Sequence, residues 1–325
     1  MFAPFAYARP THLQEAVDRL AAGGAQVHAG GTDLLGCLRD HVFSVDTLVS
    51  LSSIEGLSGI RETDDGGLVI GALTTISEIA GHPEIRRRYP VLAQAAAEVG
   101  SPQLRNQGTL GGNLCQKPRC WYYRGDFPCL RKGGYKCFAV NGENQYHCIV
   151  GGANCFIVHP SDTAPALVAL DAEVQTIGPR GSRRIPVAGL HMPPAENPTR
   201  ETVLEPGEIL VEIRVPPPAD GLYSAYRKIR TRRAWDFAIA GCALALSMNG
   251  SRVRDCRVVL SGAAPIPWRS RETEEVLRGR VLDDVAIGEA SQAVVAAAQP
   301  MSKNGYKVPL FKGLIEEELR KALGT

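Results

Sequence analysis

The sequence has no run of about 18 apolar residues, the length a membrane-crossing helix needs. Its longest apolar stretch, around 239–248, has the length of a buried strand. It has no long basic tract, and 36 Lys and Arg against 34 Asp and Glu leave a net charge of +2, so nothing in the charge argues for nucleic acid. No charged segment followed by an apolar one opens the chain, so no secretory signal is read. The arginine runs Arg86-Arg87-Arg88, Arg183-Arg184 and Arg232-Arg233 are internal. The default compartment is therefore the cytoplasm, where cysteine clusters favour metal over disulfides. No G-x-G-x-x-G is present, which argues against a Rossmann dinucleotide site, and no Gly-Lys-Ser/Thr, which argues against a P-loop. No C-x-x-C is present, so neither a zinc ribbon nor a thioredoxin site fits. What remains is a 325-residue chain of ordinary globular composition, 44% hydrophobic and 22% charged, long enough for two or three cores.

The first segment reads helix, strand, helix, strand. Leu13, Ala16, Val17, Leu20 and Ala21 recur at helical spacing, and Gly23-Gly24 stops that helix. Strands at 27–29 and 47–51 flank a helix at 34–39, which predicts a small parallel βαβ unit. From residue 53 onward the pattern gives a strand at 68–72, helices at 76–80 and 90–99, a glycine-rich loop at 108–113, a helix at 163–170 and a strand at 173–177. After the proline-rich stretch 193–198 come a strand at 209–215 and an alternating segment at 223–230. Two apolar strands then flank Asn249-Gly250, a hairpin turn because both turn positions take positive φ. Helical patterns at 272–277, 285–298 and 310–323 close the chain.

Two glycine turns carry possible chemistry. Ala29-Gly30-Gly31-Thr32-Asp33-Leu34 lies between a strand and a helix, and Gly108-Thr109-Leu110-Gly111-Gly112-Asn113 follows. Glycine lets backbone approach a phosphate, and amides at a helix start offer positive potential. One such turn is more often just a turn. Two suit a pyrophosphate gripped from both sides. Asp162, after Pro160-Ser161, is either a helix cap or a carboxylate accepting from a sugar or ribityl hydroxyl. Lys228 is either an exposed strand charge in a surface ion pair or a cation near an electron-rich ring.

Six of the nine cysteines crowd one stretch: Cys115, Cys120, Cys129, Cys137, Cys148 and Cys155. Iron–sulfur clusters accept cysteines in many spacings. Lys117, Arg119, Arg124, Arg131, Lys132 and Lys136 surround them, as suits an anionic cluster. Buried free thiols, disulfides or a structural zinc site are the other readings. Six candidates exceed the four positions of a cubane.

Taken in order, Ala29–Leu34 with its double glycine, Ile70-Gly71-Ala72-Leu73-Thr74, Gly108 to Leu114, Asp162-Thr163-Ala164-Pro165-Ala166-Leu167 and Lys228-Ile229-Arg230 resemble the FAD-binding subunits of molybdenum hydroxylases. The resemblance covers nearly the whole chain. It implies an α+β fold: a FAD-binding domain over 1–180, with subdomains of about 1–53 and 54–180, then a C-terminal domain over 181–325. It implies that the two glycine turns (Ala29, Gly30, Gly31, Thr32, Asp33, Leu34; Thr109, Gly111, Gly112, Asn113) hold the FAD pyrophosphate. Asp162 would contact the flavin's sugar-alcohol chain, and Lys228 would lie near the isoalloxazine. The residues at about 115–155 are an insert relative to most relatives. Pro118-Arg119-Cys120, Pro128-Cys129, Cys137, Cys155 and His159-Pro160-Ser161-Asp162 resemble the insert of the flavin subunits of bacterial periplasmic aldehyde oxidoreductases. That similarity implies a [4Fe-4S] cluster on Cys120, Cys129, Cys137 and Cys155, with Cys115 and Cys148 left over. It further implies a molybdopterin-binding large partner, a small [2Fe-2S] partner and an external electron acceptor, and it leaves periplasmic co-export open beside the cytoplasm. A hydroxybenzoyl-CoA reductase-like or xanthine dehydrogenase-like complex, a zinc-stapled interaction module and a free-standing flavoenzyme are the rivals.

Overall fold

A computed structural model describes residues 2–324. Its first sheet holds β1 (Ala6–Ala8), β2 (Ala25–His28) and β3 (Thr47–Ser50) in the order β1-β3-β2, with both pairings parallel. The helix Leu34–Arg39 connects β2 to β3, so the expected parallel strand–helix–strand unit is present. Ala16, Val17 and Leu20, one stripe of the helix Leu13–Ala21, are buried with Val49 after the manner of an amphipathic helix on a sheet. The same cluster includes Ile209 and Val211 from the second sheet, which joins the two subdomains through a common apolar core.

The second sheet contains β4 (Ile60–Glu62), β5 (Leu68–Gly71), β6 (Glu173–Gly178), β7 (Gly181–Pro186) and β8 (Ile209–Val215), ordered β4-β5-β8-β6-β7 and antiparallel throughout. The expected division at residue 180 falls inside the turn of the β6–β7 hairpin, whose six residue pairs zip Glu173 to Pro186. The sheet continues through β8 to Val215, so the chain leaves it for the last time at the segment Pro216-Pro217-Pro218, where proline cannot donate to a ladder.

The third sheet holds β9 (Leu222–Ile229), β10 (Ala240–Asn249), β11 (Arg252–Ser261) and β12 (Trp268–Arg269), ordered β12-β11-β10-β9. Asn249 and Arg252 are the last paired residues of the β10–β11 hairpin, so the two-residue turn is Gly250-Ser251 and not Asn249-Gly250, and of the expected pair only Gly250 takes positive φ, at +57°. β10 reads as a continuous apolar run because both its faces are covered. Ala243 and Ala245 face the core shared with the second sheet. Cys242, Leu244 and Leu246 face the C-terminal helices. Those helices, Arg271–Leu277, Asp284–Ala293 and Lys307–Ala322, bury Leu277, Ile287, Phe311 and Ile315 on that side.

The cysteine-rich insert has little regular structure beyond one turn of helix at Trp121–Arg124 and a 3-10 turn at Leu130–Lys132. Side chains hold it at both ends instead. The Asp33 carboxylate takes the Lys117 amide and the Arg124 guanidinium, each at 2.7 Å, with Arg119 at 3.0 Å. At the far end, the Asn304 amide donates to the carbonyls of His147 and Cys148, and the wholly buried Lys307 ammonium donates to those of Tyr146 and Gly262.

Candidate functional site

The two glycine turns stand against each other. A Cβ on Gly30 would come within 2.0 Å of the Gln107 carbonyl, so only glycine allows this approach of the first turn to the second. Gly31 sits at φ +71°, which turns the chain from β2 into the helix that follows. The expected glycine loop at 108–113 is instead the start of a short helix, Leu110–Leu114, capped by the Thr109 hydroxyl, which accepts from the Gly112 amide at 3.2 Å. The Leu110 and Gly111 amides are also engaged, donating to Thr74 and Ala72. The second turn therefore spends its amides on its own packing. The symmetric amide grip expected of the pair is not what the backbone presents.

A cavity of about 1080 Å³ opens beside these turns, at the upper end of the range typical of small-molecule sites. Ala29, Gly30, Gly31, Thr32, Asp33, Leu34, Thr109, Gly111, Gly112, Asn113 and Asp162 all line it, with Trp235 and Phe237 also in its wall. Its length, from Gln26 on the first sheet past both turns to Asp162 and Phe237, suits an extended cofactor of the dinucleotide class.

Asp162 does not act as the helix cap. Its side chain caps nothing, and the Ser161 hydroxyl accepts from the Ala164 amide in its place. The Asp162 carboxylate instead accepts from the Tyr226 hydroxyl and the Lys228 ammonium, both at 2.7 Å. Burial pushes the carboxyl above its usual value, although Lys228 and Tyr226 pull the other way. Lys228 is buried, not an exposed strand charge, and also donates to the Glu98 carbonyl. It is absent from the cavity wall and reaches the cavity through Asp162. Asn113 ties the second turn to this segment, its side-chain oxygen accepting from Ser161 and Thr163.

A second, much smaller cavity lies inside the insert. Cys120, Cys129, Cys137 and Cys155 line it together, from positions spread over thirty-six residues of chain. Cys115 lines the large cavity instead, and Cys148 lines neither. All nine cysteines are free. Burial pushes the Cys120 and Cys148 thiols up to about 12 and raises Cys155 as well, with the Arg131 guanidinium opposing it at Cys155. Among the described residues no three His, Cys, Asp or Glu side chains close on a single metal-ion position. The four thiols line one gap, as the ligands of a shared thiolate-bound metal centre would. His147 also lines this gap, with Nε2 3.4 Å from the Cys120 sulfur, and burial lowers its pKa to about 4, so it is a neutral imidazole.

Arg131 completes the gap's wall and is almost fully buried. Its Nε and Nη1 have no acceptor. A buried cation with unused donors beside four thiols fits an anionic thiolate centre. Its third nitrogen is held by Glu201, which also takes the Lys117 ammonium and lines the large cavity. The two cavities thus share a wall of ion pairs. Arg131 stands out in the sequence only as one of the basic residues of the insert, and nothing local marks Glu201 as its partner or Tyr226 as the partner of Asp162.

Residues 3–218 match the family described as the FAD binding domain in molybdopterin dehydrogenase, and residues 224–322 match the CO dehydrogenase flavoprotein C-terminal domain. The break between the two matches falls in the same place as the proline segment that ends the second sheet. The chain is 37% identical to the aldehyde oxidoreductase FAD-binding subunit PaoB of Escherichia coli, over 98% of each chain. It is 30% identical to the carbon monoxide dehydrogenase medium chain of Hydrogenophaga pseudoflava, over 98% of this chain and 96% of that one. The structure of that organism's carbon monoxide dehydrogenase superposes with a TM-score of 0.78 at 28% identity, covering 98% of this chain and 96% of that chain. The reconstituted enzyme of Oligotropha carboxidovorans superposes with a TM-score of 0.79 at 25% identity, covering 99% of both. With this fold, the paired glycine turns and end-to-end likeness, the chain belongs to the FAD-binding subunits of the molybdenum hydroxylases.

Proposed function

We propose that this chain carries FAD and a [4Fe-4S] cluster as the electron-transfer subunit of a molybdenum-dependent aldehyde oxidoreductase. The observation that carries the reading is the meeting of Cys120, Cys129, Cys137 and Cys155 around one gap, with Arg131, whose Nε and Nη1 have no acceptor, in its wall. The likeness to an aldehyde oxidoreductase subunit supports the substrate class. In this reading a large partner chain would hold the molybdenum cofactor that supplies aldehyde oxidation, a small partner chain would hold [2Fe-2S] centres, and this chain would stand between them and an external electron acceptor.

Bound FAD would supply the exchange between two-electron and one-electron chemistry. This chain's own residues bind and orient. The Ala29–Leu34 turn offers its backbone to the pyrophosphate. Thr109, Gly111, Gly112 and Asn113 shape the opposite wall. Asp162, fixed in direction by Tyr226 and Lys228, would accept from a ribityl hydroxyl. Lys228 keeps that carboxylate charged in a buried setting. Asp33 has a different task from the rest of its turn: it fastens the insert beside the flavin site.

The purified chain tests this directly. It should show a flavin spectrum with added broad absorption from iron and sulfide, and about four irons per flavin. A colourless, zinc-holding protein that loses all flavin on desalting would refute it.

The clasp of residues 302–307 on the insert favours a second role for the cluster, as a staple between the two halves of the chain. Cys129→Ser separates the roles. Lost complex assembly with flavin reduction intact supports the staple, whereas slowed turnover in an intact complex supports a wire. No helix among the described residues is long and apolar enough to cross a membrane. We place the complex in the cytoplasm, with periplasmic co-export on a partner's signal as the other outcome of fractionation.

A further inference from the structure

Arg131 is unusual among the buried cations of this chain. Lys228 and Lys307 have every neighbour they need in Asp162 and in backbone carbonyls. Arg131, with its side chain 2% exposed, uses only one nitrogen, Nη2, which donates to the Arg200 carbonyl at 2.8 Å and to Glu201 at 3.2 Å. Nε and Nη1 are buried and unmatched. They belong to a side chain that lines the gap shared by the four cysteines. Unpaired charged donors are rare in protein interiors, because each loses its water without compensation. The fork is therefore anchored on the flavin side by Glu201, and on the thiol side it acts on Cys155 by charge and hydrogen bonding while Nε and Nη1 lack an acceptor at ordinary hydrogen-bond geometry.

We propose that Arg131 is the positioning residue of the cysteine-bound centre, donating to its sulfur atoms and setting its reduction potential, with Glu201 as the opposing charge. The inference rests on the iron–sulfur reading above. Adding one electron to a thiolate-bound cluster adds one negative charge, and a fixed guanidinium in a low-dielectric wall stabilises the reduced form more than the oxidised one. Arginine suits this better than lysine. Its planar fork holds Glu201 with one edge and presents two further donors in fixed directions. Because Glu201 also faces the large cavity, the same pair places the centre's counter-charge between the two cofactor sites.

The test is an EPR-monitored redox titration of the purified complex, with iron and flavin content measured on the same samples. Arg131→Gln should move the cluster midpoint to lower potential while the flavin midpoint stays in place. Arg131→Lys, which keeps the charge but not the fork, should fall between it and wild type. Glu201→Gln should move the midpoint the opposite way. Arg131→Gln with full iron and an unshifted midpoint would overturn the proposal. If Arg131→Gln loses iron while Arg131→Lys keeps it, the positioning role is supported. If both lose iron and flavin together, Glu201→Gln decides: an unchanged midpoint there also overturns it. A wild-type complex without iron would instead defeat the cluster reading itself, at a different step of the same experiment.

Discussion

Replacing Lys228 with Met isolates the contribution of the buried ion pair to the flavin-side architecture. The Lys228 and Asp162 side chains are 1% and 5% exposed, and the variant keeps the bulk of the lysine stem while removing its charge. Asp162 is then left with only the Tyr226 hydroxyl, and the Glu98 carbonyl keeps only the longer bond from Arg230. Breaking a buried pair by removing one partner costs about 3–5 kcal/mol, a large share of the roughly 5–15 kcal/mol that holds a typical domain. The pH dependence gives the cause. Asp162 already has a raised folded pKa, so between the unfolded value near 3.8 and the folded one the native state holds more protons, and stability falls as pH rises through that window. Without Lys228 the folded value rises further and the window widens upward. Compared at pH 4 and at pH 7, the deficit of Lys228→Met against wild type should be larger at pH 7, because Asp162 without its cation holds its proton to higher pH and its buried charge is costlier. Urea unfolding of the flavin-stripped chain at both pH values, followed by tyrosine and tryptophan fluorescence, measures it. A deficit under about 1 kcal/mol at pH 7, the size typical of an exposed pair, or the same deficit at both pH values, would show that Lys228 does not carry the buried Asp162 charge.

Gly30→Ala should abolish flavin retention after desalting, because the new Cβ meets the Gln107 carbonyl at 2.0 Å, whereas Gly112→Ala, whose Cβ meets only the Thr109 hydroxyl at 3.0 Å, should retain a substantial fraction. Cys129→Ser should lose most of the iron by colorimetric assay, and Cys115→Ser, in the other cavity, should keep it. Asp33→Ala removes the acceptor shared by Lys117, Arg119 and Arg124, so limited proteolysis should cut the insert between residues 117 and 136 several-fold faster than in wild type, with the C-terminal sheet still resistant.

Elements with a strong period were legible in the sequence. The βαβ unit, the Asn249-Gly250 hairpin and the three closing helices lie within a few residues of where the pattern puts them. β1 and β4, three residues each, are too short to carry a period, and they are recognisable only through their partners β3 and β5. The continuation of the second sheet past residue 180 was hidden for a related reason: the end of β6 is local, but β8, thirty residues on, returns to pair with it. At the site, residue type was legible and partnership was not. Asp162 follows a serine, and either could cap the helix. Ser161 does, because Tyr226 and Lys228 on the third sheet claim the carboxylate. The glycines of the second turn promised free amides, but Thr74, Ala72 and Thr109 consume them. The gathering of Cys120, Cys129, Cys137 and Cys155, like the Arg131–Glu201 pair, depends on how an almost structureless insert is tied down at Asp33 and at residues 302–307.

The decisive measurement is an anomalous-difference map from a crystal of the complex, collected on either side of the iron absorption edge. The account predicts one compact iron peak enclosed by Cys120, Cys129, Cys137 and Cys155 within reach of Arg131, alongside flavin density running past Gly30 and Gly31. A peak that appears only beyond the zinc edge, or sulfur density bare of any metal, would contradict it.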